Sequence, residues 1–420
     1  MRSTAPPRDT VFKDVRIVTP TDVVDRGTMT IREGRIVSLV TRKSRAHAAA
    51  GSTVIEGRDR LLMPGFVDLH NDGIEQEIEP RPRAVFPLAV ALQSLESQLV
   101  SHGITTIFHS FSFMDGREGT LHPQVLEPTV RELNTLRRTG IIRHLVHARY
   151  EMVEIHHYER FRRLIEEGQV SLVSFMDHTP GQGQYRNVEH LVSYYVRKYD
   201  SALGEIQAVL REREEKARNP DVDVVLRKLV ACARMAGLPV ASHDDDTPEK
   251  VARMKELGIT ISEFPVDVAA ADAASRGGMH VAVGAPNVLR GKSTTDNLSA
   301  REAIRGGWAD ILCSDYYTPA LLHGVFRLVK EGLLPLPEAV RMATANPARA
   351  AGLHKEIGSL EVGKRADLIL VSDAADIPAV VGVWVGGHQV YEKHDSALNA
   401  IGDRWAAEVS PHSRGASHAS

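Results

Sequence analysis

His70 and Asp72 stand two residues apart at the end of the apolar run Gly65-Phe66-Val67-Asp68-Leu69. In an extended chain residues i and i+2 point to the same side, so an imidazole nitrogen and a carboxylate oxygen can reach one point together. That donor pair suits zinc and similar divalent ions. Alone it is weak evidence, because His-x-Asp is common by chance. Other apolar runs end the same way, in Arg149-Tyr150-Glu151, Asp177-His178-Thr179-Pro180, Ser242-His243-Asp244-Asp245-Asp246 and Ser314-Asp315-Tyr316-Tyr317. Each has a structural reading: Glu151 as a solvated charge, Asp244 to Asp246 as a helix cap ahead of Pro248, Asp315 as the cap of the next helix. Five such coincidences together favour a metal site. His102 reads as a surface residue in a helix tail. His144 and His147 read equally as core packing or as support for ligands, and no role follows for His109, His156 or His157.

The elements that must position these residues follow from periodicity. Short apolar runs at 66–69, 104–109, 143–149, 170–176, 239–242, 260–263, 280–284 and 311–314 alternate with longer stretches. Of these, 87–101, 127–138, 248–257 and 320–331 show helical spacing. About eight βα units predict an α/β protein with a closed (β/α)8 barrel, in which functional side chains gather at the C-terminal ends of the strands. Residues 1–62 and 356–395 are β-rich with turn glycines and predict one small β-sandwich assembled from both chain ends. The barrel is then 63–355, and 396–420, rich in Ser, Ala, His and Gly, reads as a flexible tail.

Composition bounds the function classes. Of 420 residues, 51 are basic and 54 acidic, so the net charge of −3 gives no global pull toward nucleic acid or membrane. Two distant cysteines, Cys232 and Cys313, argue against a disulfide framework, and residues 1–10 lack an apolar leader, which predicts a cytoplasmic protein. Phosphate would need local cations. The stretch from Gly284 to Thr295 supplies Arg290, Lys292 and hydroxyls, Pro180 to Arg186 supplies Gln184 and Arg186, and Arg81 and Arg83 lie among prolines. Each also reads as a polar loop, and for Arg81 and Arg83 that reading weighs as much as the functional one.

Met63-Pro64-Gly65-Phe66-Val67-Asp68-Leu69-His70, Asn346-Pro347-Ala348 and Gly363-Lys364-Arg365-Ala366-Asp367-Leu368 resemble the amidohydrolase superfamily. Glu79-Pro80-Arg81-Pro82, the stretch Ser174 to Gln182, Ala241-Ser242-His243-Asp244-Asp245, Gly284-Ala285-Pro286-Asn287 and Ser314-Asp315-Tyr316-Tyr317 are similar to one branch of it. That branch is the ribosyl-methylphosphonate triphosphate diphosphatases of the carbon–phosphorus lyase pathway. The resemblance implies a substrate, alpha-D-ribose 1-methylphosphonate 5-triphosphate, hydrolysed to the 5-phosphate and pyrophosphate. It implies a divalent cofactor, zinc foremost, as one or two ions held by His70, Asp72, Glu151, His178, His243 and Asp315. No lysine stands at the corresponding strand ends, so Glu151 takes the bridging place. Asp315, Glu151 and His243 become the catalytic residues, with Asp315 orienting water or accepting its proton. Arg149, Gln184, Arg186, Arg290, Lys292 and Tyr316 become the candidates for holding the substrate. The strand count sets Glu151, His178 and His243 one strand earlier than is usual in the superfamily, which the sequence reading attributes to a miscounted strand. A homo-oligomer is left open.

Two rivals stand beside this reading. The same fold and ligands serve hydrolysis of amide, lactam or amine C–N bonds. A barrel that has lost its ligands would be an interaction protein, against which the filled ligand positions speak.

Overall fold

A computed structural model describes residues 9–40, 51–81, 84–115, 123–183, 203–293, 297–375 and 377–393. Eight parallel strands form one sheet in sequential order. They are β6 (Phe66–Asn71), β7 (Ile104–Phe113), β8 (Arg143–Glu151) and β9 (Leu172–Met176), then β10 (Val240–His243), β11 (Ile261–Glu263), β12 (His280–Gly284) and β13 (Ile311–Cys313). All eight coincide with the expected runs. No strand was miscounted, so the one-strand offset of Glu151, His178 and His243 belongs to the fold itself. Helices cover the outside, among them Leu88–Ser101, Asp221–Met235, Pro248–Glu256 and Ala320–Lys330. Their apolar faces meet the outward side chains Ile107, Phe111, Val146, Tyr150, Val173 and Phe175 in the main core. The inward set is smaller: Val67, Leu69, Phe108, Leu172, Ala241, Ile261, Ala282, Ile311 and Cys313, joined by Ala348 and Ile357. That layer fills the lower barrel and leaves the strand ends to polar groups.

A second, mixed sheet uses both ends of the chain. Its strands are β1 (Thr10–Val18), β2 (Val23–Arg32), β3 (Arg35–Val40), β4 (Thr53–Glu56) and β5 (Leu61–Pro64), with β14 (Leu368–Ser372), β15 (Ala379–Val385) and β16 (His388–Glu392). The two ends meet where β14 pairs antiparallel with β5, Leu368 opposite Pro64. The sheet encloses its own core of Phe12, Ile17, Met29, Leu62, Leu368 and Trp384. Gly65 carries the chain straight from β5 into β6. A Cβ there would lie 2.3 Å from Thr105 Oγ1, so only glycine lets the chain pass. The proposed tail from 396 onward lies outside the described residues.

The barrel closes between β6 and β13, and the closure is thin. One parallel bridge joins Asn71 and Asp315. The Asp315 amide donates to the His70 carbonyl at 2.9 Å and the Asp72 amide to the Asp315 carbonyl at 2.9 Å. The buried carboxylate of Asp68 strengthens the seam by accepting from the Ser314 amide at 3.1 Å and from the Ser314 hydroxyl. Asn71 Nδ2 donates to Ser314 Oγ at 2.6 Å. Burial pushes the Asp68 carboxyl up to about 6, with the Ser314 bonds opposing. Replacing Ser314 with Ala leaves this carboxylate buried with fewer donors. The expected loss at pH 8 is about 1–3 kcal/mol of stability, read as an earlier denaturant midpoint. A midpoint equal to wild type would remove Asp68 and Ser314 from the seam.

Candidate metal centre

Strand ends with unusual backbone aim the polar residues inward. Asp244, Phe264 and Asp315 directly follow β10, β11 and one residue beyond β13, and all three have positive φ, at 53°, 54° and 58°. Non-glycine residues pay strain for this conformation, and such strain concentrates at functional sites. Each keeps its ladder bond: the Asp244 amide to the Glu263 carbonyl, the Phe264 amide to the Ala282 carbonyl, and the Asp315 amide to the His70 carbonyl. At Gly284 a Cβ would sit 3.4 Å from Asp315 Oδ2, so the end of β12 borders the same space.

The donor atoms of His70, Asp72 and Asp315 lie within 4.8 Å of one another. His70 Nε2 is 3.5 Å from Asp72 Oδ1, and its Nδ1 is 3.4 Å from Glu263 Oε1. Glu263 therefore stands behind His70 and orients it so that Nε2 faces Asp72, an arrangement recurrent around metal-ligating histidines. The His243 ring lies 5.5 Å from the His70 ring, and Phe264 packs edge-on to both, at 4.9 Å from His70 and 5.2 Å from His243. His243 is buried, and its Nε2 has no hydrogen-bond partner among the described residues. Its Nδ1 lies 2.9 Å from Asp244 Oδ2. An orphaned buried imidazole nitrogen beside a His/Asp/Asp trio is what a zinc-class cation would satisfy. Beside it, Glu151 and His178 form a pair, with His178 Nδ1 at 2.5 Å from Glu151 Oε2 and the His178 amide donating to Oε1 at 3.1 Å.

Charge is concentrated here. Burial alone would lower His70, yet hydrogen bonds donated by its ring to Asp72 and Glu263 outweigh it and push the imidazole up to about 10. Burial would raise Glu263, but His147, His70 and His243 bring it down to about 2. Burial and the adjacent Asp72 push Asp315 up to about 6. Burial would raise Glu151, but His178 and Arg213 hold it below the usual carboxylate value.

The structure brings His70, Asp72, Asp315 and His243 together, with the Glu151–His178 pair on the adjoining strand ends. Arg149 is buried and its Nη2 donates to Asp72 Oδ1 at 2.8 Å, so it positions a carboxylate rather than standing open. Tyr316 is exposed just past Asp315. Arg290 ends the helix Ala285–Arg290, about 9 Å of helix from Gly284; it and Lys292 are exposed and form no ion pair among the described residues. Gln184, Arg186 and Arg83 lie outside the described residues. The three aspartates after His243 do not cap the next helix: Thr247 does, accepting from the Lys250 amide. Asp245 instead accepts from Ser242 Oγ at 2.6 Å and Ser262 Oγ at 2.5 Å, and Asp246 from the Gly183 amide at 2.8 Å. Nor does Asp315 cap a helix, since Pro319 occupies that place.

Sequence reasoning missed Glu263 and Arg213 and left His147 between core packing and support of the ligands. Glu263 ends a strand that had been located, but the acid was counted inside the run instead of after it. His147 shares the inward parity of Arg149 and Glu151 along β8, and its Nε2 reaches Ser174 Oγ at 2.8 Å. Arg213, buried on the helix Leu203–Ala217, carried no sequence signal, because only the tertiary fold brings it to Glu151.

Residues 61–390 match the Amidohydrolase family, and the chain belongs to it. It is a hydrolase of that family. Among its relatives is the alpha-D-ribose 1-methylphosphonate 5-triphosphate diphosphatase of Escherichia coli (strain K12), 34% identical over 386 residues that cover 91% of this chain and 100% of that protein. An imidazolonepropionase from Maricaulis maris is 32% identical over 171 residues, covering 38% of this chain and 41% of its own. In fold, the chain is similar to N-acetylglucosamine-6-phosphate deacetylase from Pasteurella multocida, with a TM-score of 0.64 at 13% identity, over 91% of this chain and 100% of that one.

With His70 held as an imidazolium, a cation entering between His70, Asp72 and Asp315 must displace a proton. Titrating zinc into the metal-free protein at pH 8 should release about one proton, seen by calorimetry in buffers of different ionisation enthalpy. Below pH 6 Asp315 is protonated as well, so affinity should fall more steeply with falling pH. Buffer-independent heats would show that His70 is not displaced.

Proposed function

We propose that this chain hydrolyses the 5-triphosphate of alpha-D-ribose 1-methylphosphonate 5-triphosphate to the 5-phosphate and pyrophosphate, with a divalent cation, zinc foremost, as cofactor. The observation that carries this reading is the correspondence with the Escherichia coli diphosphatase over that protein's whole length. His70, Asp72, His243 and Asp315 would hold the cation, with Glu151 and His178 beside them. The ion would supply Lewis acidity toward a phosphoryl oxygen and a water acidic enough to react near neutral pH.

The chain's own residues account for the rest. Water oxygen bonds to phosphorus, the anhydride P–O bond breaks, pyrophosphate departs, and the water proton passes to Asp315. A carboxylate lifted to about 6 is matched to that task near neutral pH. Arg149 fixes Asp72, and Glu263 fixes His70, so neither ligand reorients during the reaction. Arg213 offsets the charge of buried Glu151 and keeps that carboxylate ionised.

The reading is tested by phosphorus NMR of zinc-supplemented protein with the ribosyl methylphosphonate triphosphate, and with ATP in parallel. Prompt pyrophosphate release from the first and little from the second is expected. No release from either, with zinc bound, would sink the substrate and turn attention to C–N bonds, the class of bond cut by the similarly folded deacetylase.

Two sets of variants divide the roles. Asp315→Asn should lower kcat by roughly 10²–10⁴-fold. Arg290→Ala and Lys292→Ala should mainly raise KM, and unchanged kinetics in both would remove those side chains from substrate binding.

A further inference from the structure

A second group of nitrogen and oxygen donors lies on the neighbouring strand ends. Asp115 follows β7 by two residues, and His156 and His157 lie on the 3-10 turn Ile155–His157 that follows β8. One donor atom from each of the three lies within 4.8 Å of the others. His157 Nε2 is 2.7 Å from Asp115 Oδ1 and His156 Nε2 is 2.8 Å from Asp115 Oδ2. The two rings are 4.0 Å apart between centroids, so both present their nitrogens to one place.

The turn is held before any ligand arrives. The Tyr150 hydroxyl donates to the Glu154 carbonyl at 2.7 Å, and the His157 amide donates to the same carbonyl at 3.0 Å. His156 has a carboxylate on each side: Asp115 at Nε2 and, at 3.6 Å from Nδ1, Glu154. A neutral imidazole has one N–H and cannot donate to both. With the Nδ1 proton on the Glu154 side, where 3.6 Å is too long for a hydrogen bond but short enough for charge to favour that tautomer, the Nε2 lone pair faces the Asp115 carboxylate 2.8 Å away, and a cation between them resolves the conflict. That is the carboxylate–histidine arrangement that orients metal ligands. Lys216 is the competing cation. Its Nζ pairs with Glu154 at 2.9 Å and Glu212 at 3.0 Å and stays 3.9 Å from Asp115. Three carboxylates against one ammonium leave excess negative charge for a divalent ion.

We propose that Asp115, His156 and His157 form a second divalent-cation site of the zinc class, on the rim of the barrel and separate from the centre at His70, with Glu154 orienting His156. Two nitrogens and a carboxylate leave coordination positions open to water or to an anionic ligand.

The test is equilibrium dialysis against micromolar free zinc, with bound metal counted by atomic emission, on the full chain and on His156→Gln, Asp115→Asn and Glu154→Gln. His156 is half exposed, so its replacement leaves the core intact; circular dichroism checks each fold, and the folded variants decide. His156→Gln and Asp115→Asn should each bind about one equivalent fewer than wild type. Glu154→Gln should keep the equivalent with affinity weakened about tenfold or more. Equal stoichiometry and affinity in all four proteins would overturn the proposal, as would an extra equivalent in wild type that appears only at millimolar zinc.

Discussion

The closure of the barrel between its first and last strands is the constraint on which the rest depends. Seven neighbouring strand pairs share parallel ladders, while β6 and β13 share one bridge at Asn71 and Asp315. That bridge lies at the level of the candidate centre. The amides of Asp72 and Asp315 that fasten the seam belong to the residues whose carboxylates face His70. Closing the barrel and assembling the centre are thus one event. The buried Asp68–Ser314 contact holds the seam from below, and Asn71 ties it to Thr318 at 3.3 Å.

Burying this many titratable groups would be ruinous if each were alone. Instead four of the acids have a basic counterpart: Glu263 faces His70 and His147, Glu151 faces His178, Asp72 faces Arg149, and Asp244 faces His243. Asp244, which faces His243, is one of the strand-end residues with positive φ. Phe264 packs edge-on against both His70 and His243, so one aromatic ring fixes the orientation of two imidazoles.

Much of this was legible in the sequence because strands in a parallel barrel are buried on both faces and so read as apolar runs. All eight runs became strands, and the residues ending them supplied His70, Asp72, Glu151, His178, His243 and Asp315. What was not legible depends on distance in space. Glu263 was hidden by a boundary one residue too generous. Arg213 and Lys216 reach the strand ends from a helix in the long connection between β9 and β10, and no periodicity in that helix announces where it lands. Asp68 sits inside an apolar motif, where its role as the tie to Ser314 is visible only once β13 lies beside β6.

The pairing of β14 with β5 sets an order on biosynthesis. Strand β5 leaves the ribosome early and runs without a loop into the first barrel strand, but its antiparallel partner emerges some three hundred residues later. Until then the edge formed by Leu61 to Pro64 has no neighbour on that side. The nascent chain must carry an open, apolar strand edge through most of translation, a state exposed to mispairing. A ribosome that stalls before β14 would thus release a chain whose barrel is encoded in full yet whose first strand still lacks its anchor.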